Sequence, residues 1–214
     1  MPIQFSDEYA LALDSLSVAL QNSYSDLKEA SLSREDLDYS RLIVNRLRAF
    51  YCAQDKIKKI LDKQVAQAGA DFFVETILFS LKLFNEVEGL KLEVASERAI
   101  QRKRNAIRPD ISIWRGDTLF AAIECKTQLG WRRHDWAFHF DEREKKLKEI
   151  FPTATMFLLV MTGCNWPGFG NDPRSGKQML CLLKDLWPTQ IPKSFDPLIL
   201  ETPIERLLEQ VKCL

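Results

Sequence analysis

Apolar residues recur at two different spacings along this chain. Through the first third they lie three or four residues apart, which is typical of amphipathic helices. From about residue 90 onward, short apolar runs bounded by turn residues predict strands, and helical spacing returns between some of them. The expected helices cover 7–29, 72–87, 136–150 and the segment after Thr202. A further long helix is expected from an N-cap signature at Ser33 and Asp36 to about Gly69. The expected strands cover 90–95, 110–114, 119–126, 155–161 and 179–183.

This order of elements predicts an α/β fold. The chain has 214 residues, enough to bury a full core as one large domain or one domain with an extension. We expect an N-terminal helical region, residues 1–69, packed on an α/β core with a C-terminal helix, residues 70–214. The last helix is expected to start with a capping box at Thr202-Pro203-Ile204-Glu205, with proline at its first position.

The segments 110–114 and 119–126 predict a β-hairpin. Successive side chains of a strand point to opposite faces, so one face of the second segment would carry its charged residues and the other would be apolar. A three-residue loop, 116–118, is expected, because a two-residue turn would place Asp110 opposite Ile123 on the apolar face. The expected pairs are Ile111 with Ile123, Ile113 with Ala121, and Asp110 with Glu124. The expected faces are Leu119, Ala121, Ile123 and Cys125 against Phe120, Ala122, Glu124 and Lys126.

This hairpin would bring Asp110, Glu124 and Lys126 together. An aspartate and a glutamate a few ångströms apart can hold a hard divalent cation, and a nearby lysine can orient or deprotonate an attacking water. That combination is suited to phosphodiester cleavage. The alternative interpretation is a chance spacing, with Glu124 and Lys126 forming a solvated pair on one strand face. One observation argues against this alternative. Glu124 and Lys126 follow a run of five apolar residues, Leu119 to Ile123, whereas a solvated strand would alternate more strictly between polar and apolar residues.

The hairpin resembles the motif of the PD-(D/E)XK nuclease superfamily, matched by Pro109-Asp110 and Glu124-Cys125-Lys126. The resemblance covers roughly residues 70–185 and is greatest to type II restriction endonucleases. It implies a restriction-endonuclease-like core, with a mixed central sheet flanked by helices and an N-terminal helical extension. It also implies Mg²⁺, with Mn²⁺ as a substitute, held by Asp110, Glu124, the backbone carbonyl of Cys125 and a glutamate from the preceding helix.

Glu75 is the expected helical glutamate, with Glu86 and Glu93 as weaker candidates. The alternative for Glu75 is an acidic residue in a first helical turn, where the helix dipole favours it. In the catalytic interpretation, Asp110, Glu124, Lys126 and Glu75 form the catalytic set, and Lys126 lies beside the attacking water.

The formal net charge is zero, but the charges are segregated. Residues 1–40 carry eight acidic and two basic residues, a net charge of −6, so the remainder carries +6. Basic residues flank the hairpin and occur in a glycine-rich loop, 163–177, that also has aromatic residues, and such groups can hold phosphates or stack on bases. The alternatives are solvated loops and an aromatic pair that anchors the loop to the core. The candidate nucleic-acid contacts are Arg102, Lys103, Arg104, Arg108, Arg132, Arg133, Trp166, Arg174 and Lys177.

Other classes of function find little support. No run of eighteen apolar residues predicts a membrane span, and no secretory signal is recognisable. Five scattered cysteines without a C-x-x-C pair predict reduced thiols, a cytoplasmic location and no zinc site. The loop 163–177 fails the nucleotide-binding P-loop spacing, so no nucleotide cofactor is expected. His134 and His139 are five residues apart, off one helical face, and are expected to be structural or surface residues.

The function expected from sequence is a magnesium-dependent DNA endonuclease of the restriction-enzyme type. A homodimer is expected, since an enzyme with one site per chain needs two copies for a double-strand cut. Three alternatives stay open: a catalytically silent nucleic-acid-binding protein of the same fold, a repair or mobile-element nuclease, and an unrelated α/β protein with a chance motif.

Overall fold

The computed structural model of the chain describes residues 7–32, 37–104, 106–129, 135–162, 166–192 and 202–214. The chain forms two compact units, Met1–Leu37 and Asp38–Leu214. The first unit contains one described helix, α1 (Glu8–Leu32), close to the predicted 7–29. The second contains all the other elements described below. None of the described helices is both long enough and apolar enough to cross a membrane.

The second unit is an α/β structure, as predicted, with a mixed five-stranded sheet flanked by helices. Every predicted strand is present, and most ends differ from the prediction by only a few residues. Its helices are α2 (Tyr39–Ile60), α3 (Ala70–Val87), α4 (Trp136–Ile150), α5 (Trp166–Gly170) and α6 (Pro203–Lys212), with a 3₁₀ turn at Pro188–Gln190. Its strands are β1 (Glu93–Ser96), β2 (Ile111–Arg115), β3 (Thr118–Lys126), β4 (Thr155–Thr162) and β5 (Met179–Leu183).

The strands lie in the order β1-β2-β3-β4-β5. Strands β1, β2 and β3 form an antiparallel meander, whereas β3, β4 and β5 are parallel. A parallel neighbour requires a crossover connection, and α4 provides it between β3 and β4. Strand β3 therefore has an antiparallel partner on one side and a parallel partner on the other, and its C-terminal end lies beside the start of β2.

The hydrophobic core covers both faces of the sheet. On one face α4 packs against apolar residues of β2, β3, β4 and β5, which form a single buried cluster. Its members include Trp114, Leu119, Ala122, Met156, Leu158, Val160 and Cys181 from the sheet and Trp136, Phe140 and Leu147 from α4. Intervening strand residues such as Ile113, Ile123 and Leu159 are also fully buried, as expected for a sheet covered on both sides. Helices α3 and α6 contact the sheet as well.

The hairpin has the predicted pairing at its open end but a different turn. Ile111 pairs with Ile123 and Ile113 with Ala121, as predicted. The connection is the two-residue turn Gly116-Asp117, where Gly116 takes a φ of 61°. A register shift after Ile113 compensates for the shorter turn. Trp114 pairs with Leu119, so that Phe120 is an extra residue of β3 without a partner in β2. The predicted three-residue loop was wrong, and the shift also places Leu119 in the cluster with Ala122 instead of on the opposite face.

The starts of three helices also differ from the prediction. Helix α2 is capped by Asp38, whose Oδ1 accepts a hydrogen bond of 2.7 Å from the Arg41 N–H. Ser33 and Asp36, the predicted caps, lie outside the described residues. Gly69 precedes α3 instead of ending α2. A Cβ at this position would clash with the phenol group of the buried Tyr51, so this close approach favours glycine.

The predicted capping box of α6 was wrong, although Pro203 does occupy the first turn. Thr202 adopts a left-handed conformation and makes no capping hydrogen bond through its side chain. Glu205 instead accepts a 2.8 Å hydrogen bond from the Ser40 backbone N–H and a second one from the Ser40 hydroxyl. Helix α2, which the sequence assigned to the N-terminal region, is thereby joined to the last helix within the second unit.

Candidate active site

Asp110 lies immediately before β2, at the open end of the hairpin. Its backbone carbonyl accepts hydrogen bonds from the Glu97 N–H at 3.2 Å and from the Ser96 hydroxyl at 3.1 Å, which extend the pairing of β1 with β2. Its carboxylate Oδ2 accepts a 2.7 Å hydrogen bond from the Cys125 N–H. The carboxylate is therefore held against the C-terminal end of β3 by a backbone donor.

Lys126 joins the two predicted carboxylates. Its Nζ lies 3.2 Å from Oδ2 of Asp110 and 3.1 Å from Oε2 of Glu124. The structure thus brings together Asp110, Glu124 and Lys126, the three residues that the hairpin pattern singled out. The lysine side chain is 45% exposed and Glu124 only 5%, so the group has a buried side and a solvent-facing side.

Arg143 of α4 is a fourth member of the site. Its Nη2 lies 2.6 Å from Oε1 of Glu124. The predicted site did not include it, because the hairpin pattern concerns only residues of two neighbouring strands. A signal was present: Arg143 falls in helical phase with Trp136, Phe140 and Leu147, which mark the buried face of α4. A basic residue on an apolar helix face usually has a buried acidic partner.

Burial and the neighbouring charges act in opposite directions on the pKa values of Glu124 and Lys126. Burial raises the pKa of the Glu124 carboxyl above its ordinary value, although Arg143 and Lys126 partly offset the rise. For Lys126, burial lowers the pKa, but Glu124 and Asp110 outweigh it and the net pKa is raised. Lys126 is therefore a firmly protonated ammonium in this arrangement. It can orient a water or stabilise negative charge, but it is a poor base.

The oxygen atoms of this site suit a hard divalent cation. Glu124 Oε1 is buried and has no hydrogen-bond donor, since the contact with Arg143 lacks hydrogen-bond geometry. The N–H and C=O of one strand residue point toward the same side, so the hydrogen bond from Cys125 to Asp110 directs the Cys125 carbonyl that way as well. Within the described ranges, no group of three or more His, Cys, Asp or Glu side chains could hold a metal ion. Two carboxylates and a carbonyl nevertheless fit Mg²⁺, which retains water and phosphate oxygens as further ligands.

The thiol of Cys125 is a core group, as predicted. It is buried, and burial raises its pKa far above the ordinary value, with Asp110 adding to the rise. A thiol held in the protonated form is neither a nucleophile nor a metal ligand. Only the backbone of Cys125 is available to the candidate site.

Glu75 lies on α3 and is exposed. It interacts electrostatically with Arg46 of α2, where it opposes the lowering of the arginine pKa by burial. The structure does not group it with Asp110 and Glu124 as a metal ligand set. Its predicted role stays a prediction. Of the weaker candidates, Glu93 lies in β1 and pairs with Arg98 at 2.8 Å, and Glu86 lies in α3.

The basic segment before the hairpin is solvent-exposed. Its members Arg102, Lys103, Arg104 and Arg108 all have exposed side chains. Arg108 directly precedes Pro109 and Asp110, and the other three lie within eight residues of Asp110 along the chain. The other predicted basic pair, Arg132 and Arg133, lies outside the described residues, as does His134.

Residues of the glycine-rich loop have other contacts. Arg174 donates to Asp172 through Nε at 2.9 Å, forms an ion pair with Asp141, and lies over the ring of Phe140. Its charge is therefore balanced within the fold. Lys177 is exposed, and the backbone of Trp166 lies in α5 while its side chain is outside the described set.

Phe169 of the same loop is fully buried. Its ring centroid lies 5.3 Å from that of Trp136. Phe169 thereby anchors the loop to α4. For this residue, the alternative interpretation of an aromatic anchor to the core is the one observed.

A cavity of about 250 Å³ opens beside the candidate site. Its wall is largely apolar and is built by Trp136, Phe140, Met156 and Leu158, with Leu129 at one side. Glu124, Lys126 and Arg143 line it toward the carboxylates, and the exposed Gln128 and His139 also border it. The sequence did not predict this cavity, because its wall combines α4 with two parallel strands.

No protein-family model matches this chain, and no curated protein matches it.

Proposed function

We propose that this protein is a magnesium-dependent DNA endonuclease of the restriction-enzyme type, which hydrolyses phosphodiester bonds. One observation carries the proposal: the Lys126 ammonium lies 3.2 Å from Asp110 and 3.1 Å from Glu124, with Glu124 almost fully buried. Two carboxylates and an amine that meet at the end of a strand match the chemistry of metal-assisted phosphodiester cleavage.

Each residue has a separate task in this proposal. Asp110 and Glu124 would hold Mg²⁺, or Mn²⁺ in its place, together with the Cys125 carbonyl, and the bound ion would lower the pKa of a water and neutralise phosphate charge. Lys126, protonated, orients the attacking water and stabilises charge on the phosphate. Arg143 holds the Glu124 carboxylate in position from α4 at 2.6 Å. Glu75 is kept as a proposed contributor through water.

The order of elements around the site supports the family resemblance. Helix α3, the antiparallel strands β1 to β3, helix α4 and the parallel strand β4 follow one another along the chain. That order is what a restriction-endonuclease-like core requires. We therefore propose that residues 70–185 form such a core and that the remaining helices are additions to it.

DNA is the proposed substrate, and charge is the reason. The exposed segment with Arg102, Lys103, Arg104 and Arg108 precedes the site directly and would neutralise phosphates of a bound duplex. Arg132, Arg133, Trp166 and Lys177 stay proposed contacts. A homodimer is proposed for a double-strand cut, and a cytoplasmic location suits the scattered cysteines.

A second candidate is a catalytically silent DNA-binding protein of the same fold. It is favoured by the limited ligand set, since no group of three acidic, histidine or cysteine side chains suited to a metal occurs in the part of the chain that is described. In that case the lysine would serve only to neutralise Asp110 and Glu124, and the hairpin would be a structural feature of a binding surface.

Cleavage of plasmid and phage DNA separates the two candidates. Wild type, Asp110→Asn and Lys126→Ala would be incubated with Mg²⁺, Mn²⁺ or EDTA on methylated and unmethylated substrates. Asp117→Asn is the matched control, because Asp117 is exposed in the hairpin turn and distant in register from the site. We expect metal-dependent cleavage by wild type and Asp117→Asn, and loss in the other two variants with DNA binding retained by Lys126→Ala. DNA binding without cleavage under every condition would favour the silent candidate.

A further inference from the structure

The cavity beside Glu124 has the properties of a binding site for a planar group. Its wall is apolar, formed by two aromatic residues of α4, Trp136 and Phe140, and by Met156 and Leu158 of β4. Its volume of about 250 Å³ is below the range of about 300–1,000 Å³ that is typical of sites for drug-sized ligands. The cavity is therefore small, and its size and aromatic lining suit a single ring system.

The polar border of the cavity, where it meets the candidate active site, carries two cationic groups around the Glu124 carboxylate. Lys126 and Arg143 both line it, and their side chains are 45% and 41% exposed. The Nε of Arg143 is buried and has no hydrogen-bond partner. A ligand with an apolar planar part and an adjacent anionic group would satisfy both regions at once. A nucleotide within a strand has this composition, with its base in the cavity and its phosphates at the border.

A base inside an intact duplex cannot reach such a cavity. Its faces are stacked and its edge is paired, so entry requires that it be unpaired and turned away from its neighbours. A single-stranded end, a gap or a mismatch lowers this cost, because little or no stacking and pairing has to be broken. Aromatic side chains stack on any base, so the preference would be for unpaired structure more than for one sequence.

We propose that this cavity binds one unpaired nucleobase next to the phosphodiester bond at the active site, so that the preferred substrate has a single-stranded or distorted segment at the cut. The proposal rests on the nuclease function proposed above and names its substrate class. It uses Trp136 and Phe140 as the aromatic wall, and Leu129 is a further apolar lining residue.

The first test is the ratio of affinities for two oligonucleotides of equal length, one a blunt duplex and one a duplex with a single-stranded overhang. Binding would be measured in EDTA, so that no cleavage occurs. For wild type we expect the overhang to bind about ten-fold more tightly, which is the gain expected from one stacked base. Leu129→Trp would place a larger side chain in the lining of the cavity, fill much of its volume and reduce this ratio to near one.

Leu61→Trp is the matched control, because Leu61 is 61% exposed at the end of α2 and makes no part of the cavity. It should keep the wild-type ratio. Thermal unfolding of both variants shows whether Leu129→Trp is folded. Should it not fold, Gln128→Trp narrows the cavity from a lining position that is exposed. An unchanged ratio in a folded, cavity-filling variant would overturn the proposal.

A second measurement uses the wild-type protein alone. The fluorescent base 2-aminopurine would be placed at successive positions of the overhang substrate, since its emission depends on stacking. We expect a change on binding at one position only, adjacent to the bond that is cleaved when Mg²⁺ is added. Equal changes at all positions would contradict a single base-binding cavity.

A free nucleotide could supply the same chemistry. Deoxynucleoside monophosphates added as competitors should displace the overhang only weakly, because they lack the neighbouring phosphates. Displacement at concentrations comparable to those of the oligonucleotide itself would identify a free nucleotide as the occupant and overturn the proposal for a strand.

Failure of the cavity proposal can be told apart from failure of the nuclease proposal. Metal-dependent cleavage that requires Asp110, without any preference for unpaired DNA, would overturn only the base-binding cavity. Overhang preference that Leu129→Trp abolishes, without cleavage under any condition, would overturn only the nuclease and leave a protein that binds unpaired DNA.

Discussion

Arg143 of α4 forms an ion pair of 2.6 Å with Glu124 at the end of β3. The Glu124 side chain is buried, and burial raises the pKa of its carboxyl although Arg143 acts to lower it. The ion pair therefore connects the crossover helix to the candidate active site, and it predicts a measurable coupling between stability and pH.

Replacement of Arg143 by alanine should destabilise the protein at neutral pH by about 1–3 kcal/mol, because an ionised buried carboxylate loses a partner. The loss should shrink in acid, where Glu124 is protonated and needs no counter-charge. Urea unfolding of wild type and Arg143→Ala at neutral and acidic pH measures both effects. Lys145→Ala, at an exposed position of the same helix, is the control, and an equal loss at both pH values would contradict this account.

The basic segment before the hairpin should determine the salt dependence of DNA binding. The combined change of Arg102, Arg104 and Arg108 to alanine should reduce the slope of log affinity against log salt by about 0.9 for each arginine that neutralises a phosphate. Fluorescence anisotropy with a duplex at several salt concentrations provides the slope. Lys56→Ala with Lys59→Ala removes exposed charge from α2 and should leave the slope unchanged. The segment does not bind phosphates if the two sets of variants behave alike.

Asp172 should contribute to stability at neutral pH but not in strong acid. Hydrogen bonds from Arg174 lower its pKa in the folded protein below the unfolded value. A lowered carboxyl pKa contributes stability that is fully present above the unfolded value, about 4, and is lost as pH falls through the folded value. Asp172→Asn should therefore lower the free energy of unfolding by about 1–2 kcal/mol at neutral pH and by much less in strong acid.

Denaturant unfolding across this pH range checks the effect of Asp172→Asn. Asp185→Asn is a suitable control, because Asp185 is exposed and takes a left-handed conformation that asparagine also adopts. A constant difference between Asp172→Asn and wild type at all pH values would show that the carboxylate charge is not the cause.

The cysteines should differ widely in reactivity. Cys213 is exposed, whereas Cys125 is buried and its pKa is raised by burial. At mildly alkaline pH, iodoacetamide should modify Cys213 at least about 100-fold faster than Cys125, which reacts only when the structure opens. Peptide mass spectrometry at several time points gives both rates, and denaturant should remove the difference. Rapid labelling of Cys125 in the folded protein would mean that the end of β3 is accessible.

The predictable part of the site lies within one hairpin. Asp110, Glu124 and Lys126 are at most sixteen positions apart, so alternation along two neighbouring strands was enough to place them on one face. The pairing of Ile111 with Ile123 followed from the burial pattern, since a slip of one residue would have placed Asp110 opposite Ile123 on the apolar face. The turn itself was mispredicted. It has two residues, and a register shift after Ile113 restores the pairing of Ile113 with Ala121; the alternation of polar and apolar residues does not predict such a shift.

The sequence by itself determined the α/β class, the five strands and the convergence of Asp110, Glu124 and Lys126, because these depend on spacing within one strand or one short hairpin. Only the tertiary structure decided that Arg143 reaches Glu124, that Glu205 binds Ser40 across 165 positions, and that a cavity opens between α4 and β4. These contacts depend on how a crossover helix and the last helix pack against the sheet. Helix packing is set by the shapes of many side chains together, and the periodicity of one segment does not specify its neighbour.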